Sequence, residues 1–268
     1  MGVIALSYWD LGMAGLLVVA LAALSLRWRL ALERPLLVAA VRMALQLTLV
    51  GLVLEVLFAF SSLHWVALMA TVMVLVAGRE VFARQRRGIR GWRGYAIGTG
   101  SMFVSSFAVA LLALLALIQA QPWYEPQYAI PLLGMLLGNT MNGVALSLDR
   151  ITEGAWQQRH AIEARLMLGE DWPAAIGPLR RESVRAGMIP VINAMTAAGV
   201  VSLPGMMTGQ ILAGSPPGEA VRYQILIFLL IAVGTGFGTV LANRLAARRL
   251  FDGRGRLRLD RLRRPSTR

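Results

Sequence analysis

The chain has 268 residues, 57% of them hydrophobic and 15% charged, which exceeds the apolar content of soluble proteins and points to a bilayer as solvent. All 27 basic residues are arginine, against 14 acidic ones, for a net charge of +13. With no lysine there is no Walker A site for nucleotide phosphates, and with no cysteine there are no disulfides, thiolate metal ligands or thiol nucleophiles.

About seven stretches of some 20 mainly apolar residues recur along the chain, each long enough for a hydrocarbon core of roughly 30 Å. They lie near 8–26, 36–59, 64–82, 95–118, 129–147, 187–213 and 221–246. The first follows Tyr8, Trp9 and Asp10 without the basic flank and small-residue cleavage site of a secretory signal, so it reads as a span. The fold class is therefore an all-α integral membrane protein of about seven transmembrane helices, a single transmembrane domain over 1–268.

The arginines occupy alternate connections. Arg27, Arg29 and Arg34 follow the first span, six arginines over 79–93 follow the third, six over 150–185 follow the fifth, and the tail after Arg244 is again basic. Residues 60–63, 119–127 and 214–220 contain none. The pattern is topological and not a footprint for nucleic acid: the positive-inside rule puts the N-terminus outside and the C-terminus in the cytoplasm. Arg222 is the exception, placed to snorkel or to pair with Glu219. His64 and His160 fall on opposite membrane sides and cannot share a metal within one subunit.

The fifth span carries Gly138, Asn139, Thr140, Met141, Asn142 and Gly143, with two amides three residues apart on one helical face. They either hydrogen-bond a neighbouring helix or line a route through the protein, with Asn193 of the sixth span as the third member. Next comes the longest polar connection, 149–187. It predicts a helix over 155–168, a break at 169–173, and a second helix toward Arg185, with Thr152 or Asp171 as caps and Pro173 in a first turn. These read as amphipathic helices under the membrane; the plainer alternative is a basic loop anchored on anionic lipid.

The sixth span is longer than a straight crossing needs and contains Pro190 and then Ser202, Leu203, Pro204 and Gly205. It is expected to break at Pro204-Gly205, since proline removes a donor and clashes with the preceding turn. Unwound backbone at membrane depth is tolerated only against protein or a water-filled cavity, so the break marks either a transport path or a packing kink. In the last span Gly234, Gly238, Ala242 and Ala246 recur every four residues, a stripe for close helix approach within or between subunits.

These segments resemble the FetB-like ABC transporter permeases, a family that includes bacterial iron exporters and plant aluminium-tolerance membrane proteins. The likeness rests on 138–143 through Leu148, Asp149 and Arg150, on 162–169, on 185–190, on the run Ser202-Leu203-Pro204-Gly205-Met206-Met207-Thr208-Gly209-Gln210, and on 220–224. It spans essentially the whole chain. It implies a permease of the bacterial inner membrane, multi-pass, that binds no cofactor itself and pairs, as two permeases and two ATPases, with a separate ABC ATPase carrying ATP-Mg. It further implies outward movement of iron or a related metal species.

Glu163, Ala164 and Gly169 also resemble the loop by which ABC importers dock a short helix into their ATPase. The chain departs from that motif in having Arg165 for its second alanine and Arg181-Glu182 for its final Leu-Pro.

The expected path thus lies between the fifth and sixth spans, lined by Asn139, Asn142, Asn193, Ser202, Pro204, Gly205, Met206, Met207 and Gln210. The expected coupling residues, within 149–187, are Glu163, Ala164, Arg165 and Gly169. Met188, Met195, Met206 and Met207 offer thioethers, but methionine is primarily core filling and thioethers suit copper better than iron. An ATPase-independent channel or secondary transporter is the alternative, though no span has a carboxylate near its centre for a proton relay. A membrane enzyme has no nucleophilic or metal-assisted cluster behind it.

Overall fold

The computed structural model describes residues 7–59 and 62–264, and within them the chain is helical with no strand. Helix α1 (Tyr8–Arg27) begins at a capping box in which the Ser7 N–H donates to Asp10 Oδ2 at 2.8 Å and the Trp9 N–H donates to Ser7 Oγ at 3.2 Å. Helix α2 (Glu33–Ala59) returns beside it. Buried Ser25 ties the hairpin by accepting from the Leu32 N–H and donating to Glu33, both at 3.0 Å.

The body is built from α3 (Leu63–Arg84), α4 (Trp92–Leu112, continued by a π-helical turn Ala113–Ile118), α5 (Pro126–Gln157), α8 (Gly177–Ala197) and α10 (Pro217–Leu250). Between α5 and α8 lie the short helices α6 (Arg159–Met167) and α7 (Trp172–Ala175); α9 (Gly205–Leu212) precedes α10. Among the described residues six helices, α1, α2, α3, α4 with its π-turn, α5 and α10, are long and apolar enough to cross a membrane. The seventh expected span is α8 and α9 with the non-helical 198–204 between them.

Helix α10 is the central post, packed on α4, α5, α8 and α9. Its small-residue stripe faces inward within the subunit: Ala242 and Ala246 are fully buried, and a Cβ at Gly238 would come within 2.6 Å of Thr140 Cγ2 and 2.7 Å of Ser105 Oγ. Helices α5 and α8 meet at backbone distance, where a Cβ on Gly143 would sit 2.9 Å from the Gly187 carbonyl oxygen and one on Gly187 would sit 2.5 Å from that of Gly143. By contrast α1 and α2 expose most of their apolar side chains, as lipid-facing helices do.

At the arginine-rich end the chain after α10 folds back over the α3–α4 connection. The Arg90 N–H donates to the Arg261 carbonyl at 2.8 Å and the Arg263 N–H to that of Gly88 at 2.9 Å. The Arg263 guanidinium lies 4.0 Å over the Phe82 ring and donates to the Phe82 carbonyl at 2.7 Å. Phe251 packs against Trp172 of α7, with ring centroids 5.3 Å apart, so this tail ties the α3–α4 connection to the 149–187 region.

Three expectations change. Thr152 caps nothing: α5 runs straight through it to Gln157, and the hydroxyl donates to the Leu148 carbonyl four residues back at 2.8 Å. The helix expected over 155–168 is instead the last turn of α5, a break at Gln158, and α6. Arg222 does not pair with Glu219; its Nε donates to the Gly218 carbonyl at 3.3 Å.

Candidate functional site

The sixth span breaks earlier than the proline alone dictates. Helix α8 ends at Ala197, and its C-terminal carbonyl is closed by a tight turn in which the Val201 and Ser202 N–H groups both donate to the Ala197 oxygen, at 3.0 and 3.2 Å. Gly199 supplies the left-handed conformation the turn requires, at φ +81°. Pro204 is then the N-cap of α9, followed directly by Gly205 as the first helical residue. Pro190 sits inside α8, where it removes one helical donor and leaves the Ala186 carbonyl without its usual partner.

The three amides are not drawn into one hydrogen-bonded cluster. The Asn139 Nδ2 donates to the Met135 carbonyl of its own helix at 2.8 Å. The Asn142 Oδ1, on a residue expected to line the path, accepts from Arg84 Nη1 of α3 at 2.7 Å. Asn193 is exposed on α8 and makes no side-chain hydrogen bond among the described residues. Ser202 is exposed, Met206 and Met207 are half-buried in the first turn of α9, and the Gln210 Oε1 is buried without a protein partner. No group of three His, Asp or Glu side chains among the described residues is placed to hold a metal ion.

A polar seam inside the body is a feature that sequence reasoning missed. Ser101, Ser105 and Ser106 of α4, Thr140 and Ser147 of α5, and Thr235, Thr239 and Asn243 of α10 are all buried. The Asn243 Nδ2 donates to Ser147 Oγ at 3.2 Å, whereas the hydroxyls of Ser101, Ser106, Thr140, Thr235 and Thr239 find no protein partner. The signal was available in the recurrence of Thr235, Thr239 and Asn243 every four residues, one position along from the glycine and alanine stripe.

In the 149–187 region, α6 is held by its inner face. Ile162 is buried, and Arg165 pairs with Glu170 at 2.7 Å while donating to the Ala175 carbonyl at 3.1 Å. Arg165 is thus a brace between α6 and α7 and does not share the outward face with Glu163. Glu163 and Ala164 are exposed, and Gly169 turns the chain at φ +91° into Asp171, whose carboxylate accepts from the Ala174 N–H at 3.1 Å as the cap of α7. Beneath α6, Arg87 of the α3–α4 connection stacks 4.3 Å from the Trp156 ring and pairs with Glu153 at 3.1 Å, and Arg150 pairs with Glu182.

The chain is 40% identical over 257 residues to the UPF0014 membrane protein slr1647 of Synechocystis, covering 93% of this chain and 95% of that one. It is 30% identical over 252 residues to the probable iron export permease protein FetB of Escherichia coli, covering 92% and 93%. It is 33% identical over 215 residues to the protein ALUMINUM SENSITIVE 3 of Arabidopsis thaliana, covering 80% and 77%. No solved structure matches it. Residues 8–251, from the first helix through the last, match the uncharacterised protein family UPF0014, and the chain belongs to that family of multi-pass membrane proteins.

Proposed function

We propose that the chain is the permease subunit of an ABC-type transporter, two copies pairing with two copies of a separate ATPase that carries ATP-Mg, and that it moves iron or a related metal species outward. The cargo and direction are carried over from the relative named a probable iron export permease, to which the likeness runs over nearly the full length of both chains. The positive-inside rule places the arginine-rich end, and with it α6 and α7, on the cytoplasmic side where such an ATPase sits.

The observation that carries the coupling half of this reading is the outer face of α6. Met167 at the end of α6 and Leu168 as its C-cap, exposed by 81% and 84%, stand beside Glu163 and Ala164 of a helix that is braced from behind by Ile162 and Arg165. Two large apolar side chains exposed at the polar end of a membrane protein, on a rigidly held short helix, suit insertion into a partner's groove. Nucleotide-driven closure of the ATPases would pull α6, and through it the continuous rod of α5 and the start of α8. These two helices cross at Gly143 and Gly187, so the motion reaches the broken segment 198–204.

The cargo route in this reading passes between α5 and the α8–α9 break. Asn139 and Asn193 supply amide oxygen there, with Arg84 setting a positive charge beside Asn142 at the arginine-rich end. The test is reconstitution with its ABC ATPase. Glu163→Arg is expected to lower ATPase stimulation and iron efflux from loaded vesicles at least fivefold while expression and thermal stability are unchanged. Full coupling in that variant would remove α6 from the mechanism.

A further inference from the structure

A cleft of about 420 Å³ opens between the first turns of α4 and the last turns of α10, lined by Trp92, Arg93, Ala96, Ile97, Leu245, Arg248 and Arg249. Three features of it converge on one ligand chemistry. First, Arg93, Arg248 and Arg249 bring three guanidinium groups to its mouth, and none of them has a carboxylate partner among the described residues; the nearby Asp252 and Asp260 are taken by Arg256 and Arg258. The Arg249 Nε is buried and finds no acceptor.

Second, α4 starts here without a side-chain cap, Gly91 at φ +72° being its N-cap, so the positive end of its dipole lies at the same end of the cleft. Third, the floor is apolar and runs along the helices. Ala96 and Ile97 lie one turn into α4 and Leu245 one turn before the end of α10, roughly 6 Å further into the membrane-spanning body than the arginines. Trp92 is 74% exposed at the rim, the position of an aromatic anchor at a membrane interface.

We infer that this cleft is a binding site for an acidic phospholipid, its phosphate held by Arg93, Arg248 and the α4 N-terminus and one acyl chain lying against Ala96, Ile97 and Leu245. A positive mouth over an apolar slot matches a lipid with an anionic headgroup better than a soluble anion, which has no use for the slot. It matches it better than an acidic protein segment too, because the slot opens along the helices that cross the bilayer. Juxtamembrane arginines attract anionic headgroups by about 1 kcal/mol each, about fivefold in affinity, so removing two corresponds to ~25-fold. The site is independent of the transport reading, since it is defined by binding alone.

The experiment is native mass spectrometry of the full-length protein, delipidated in detergent and titrated with dioleoyl phosphatidylglycerol or dioleoyl phosphatidylcholine. Wild type should retain phosphatidylglycerol preferentially, and the double variant Arg93→Gln/Arg248→Gln should lose that preference by ~25-fold with its melting temperature unchanged. The control is Arg180→Gln/Arg181→Gln, in the separate basic cleft between α8 and α10, which should keep it. Four results would overturn the site: equal retention of both lipids by wild type, an unchanged preference in the first variant, an equal loss in the control, or displacement of the lipid by millimolar inorganic phosphate. Loss of ATPase copurification from Arg93→Gln/Arg248→Gln with lipid binding intact would reassign the cleft to a protein partner.

Discussion

The Gly143–Gly187 crossing makes a quantitative prediction with its own internal control. A methyl group on Gly143 would lie 2.5 Å from Thr235 Cγ2, 2.9 Å from the Gly187 oxygen and 3.0 Å from Thr239 Oγ1. Carbon atoms in good contact are about 3.5–4.0 Å apart, so the helices would have to separate by about 1 Å. None of the three can yield easily: Thr235 and Thr239 are β-branched and buried, and the third contact is backbone. Overpacking of this kind costs roughly 1–3 kcal/mol, offset by about 0.5–1 kcal/mol from replacing a glycine inside a helix. The net of about 0–2.5 kcal/mol, at about 2–4 °C per kcal/mol, lowers the melting temperature of purified Gly143→Ala in detergent by up to roughly 10 °C, and the overpacking cost alone should place it roughly 2–12 °C below Gly138→Ala, which has the same gain from replacing a glycine. Gly138→Ala, five residues earlier on the same helix, meets nothing within 4 Å and should leave it unchanged or raise it slightly. Circular dichroism on the two variants side by side decides the matter. Equal melting temperatures for both would refute the close crossing, and with it the idea that α5 passes its motion to α8 at this point.

Two further outcomes follow from named contacts. Asn142→Leu strips Arg84 of its acceptor. Because both side chains are exposed, the stability loss should be at most about 1.5 kcal/mol, the low end for a charged hydrogen bond, whereas efflux per folded complex should fall several-fold; Met206→Leu, which conserves volume, should do neither. Retained efflux in Asn142→Leu would return the amide to a packing role, and a severe loss in Met206→Leu would revive a thioether contact. The tail supplies a pH prediction. Asp252 accepts from the Arg256 and Arg254 N–H groups and from the Arg256 guanidinium, which hold its carboxyl down to about 2. A depressed carboxyl stabilises the turn above its unfolded value and loses that contribution as pH falls toward about 2. The protection factors of the Arg254 and Arg256 amides, exchange rates divided by the intrinsic rate at each pH, should therefore fall below about pH 4, and Asp252→Asn should show the low protection at neutral pH; protection factors independent of pH in wild type would refute the assignment.

What the sequence revealed and what it hid divide along a physical line. Span positions were legible because a bilayer demands about 20 apolar residues whatever surrounds them, and the break in the sixth span because proline and glycine act on their own backbone. The extent of that break was not, since the turn that stops α8 at Ala197 depends on Gly199 entering the left-handed region, and a lone glycine among small residues does not announce this. Likewise Thr152 looked like a cap because its residue type favours one, yet a buried helix that packs on α8 and α10 keeps going, and tertiary contact overrides local preference.

Contacts between distant segments were hidden altogether. Asn139 and Asn142 sit three residues apart, which any helix places on one face, but that Arg84 reaches Asn142 across 58 residues is decided by where α3 crosses α5. The same holds for Arg165, expected among the coupling residues, which pairs with Glu170 and donates to the Ala175 carbonyl as a brace between α6 and α7. Helical periodicity fixes which side chains share a face, and packing fixes what each face meets. Roles that need only the first, such as spans, stripes and breaks, can be read from one sequence, whereas a cargo site or a docking face needs the second. This is why the lipid cleft, made by the start of one helix and the end of another more than 150 residues later, left no mark in the local pattern.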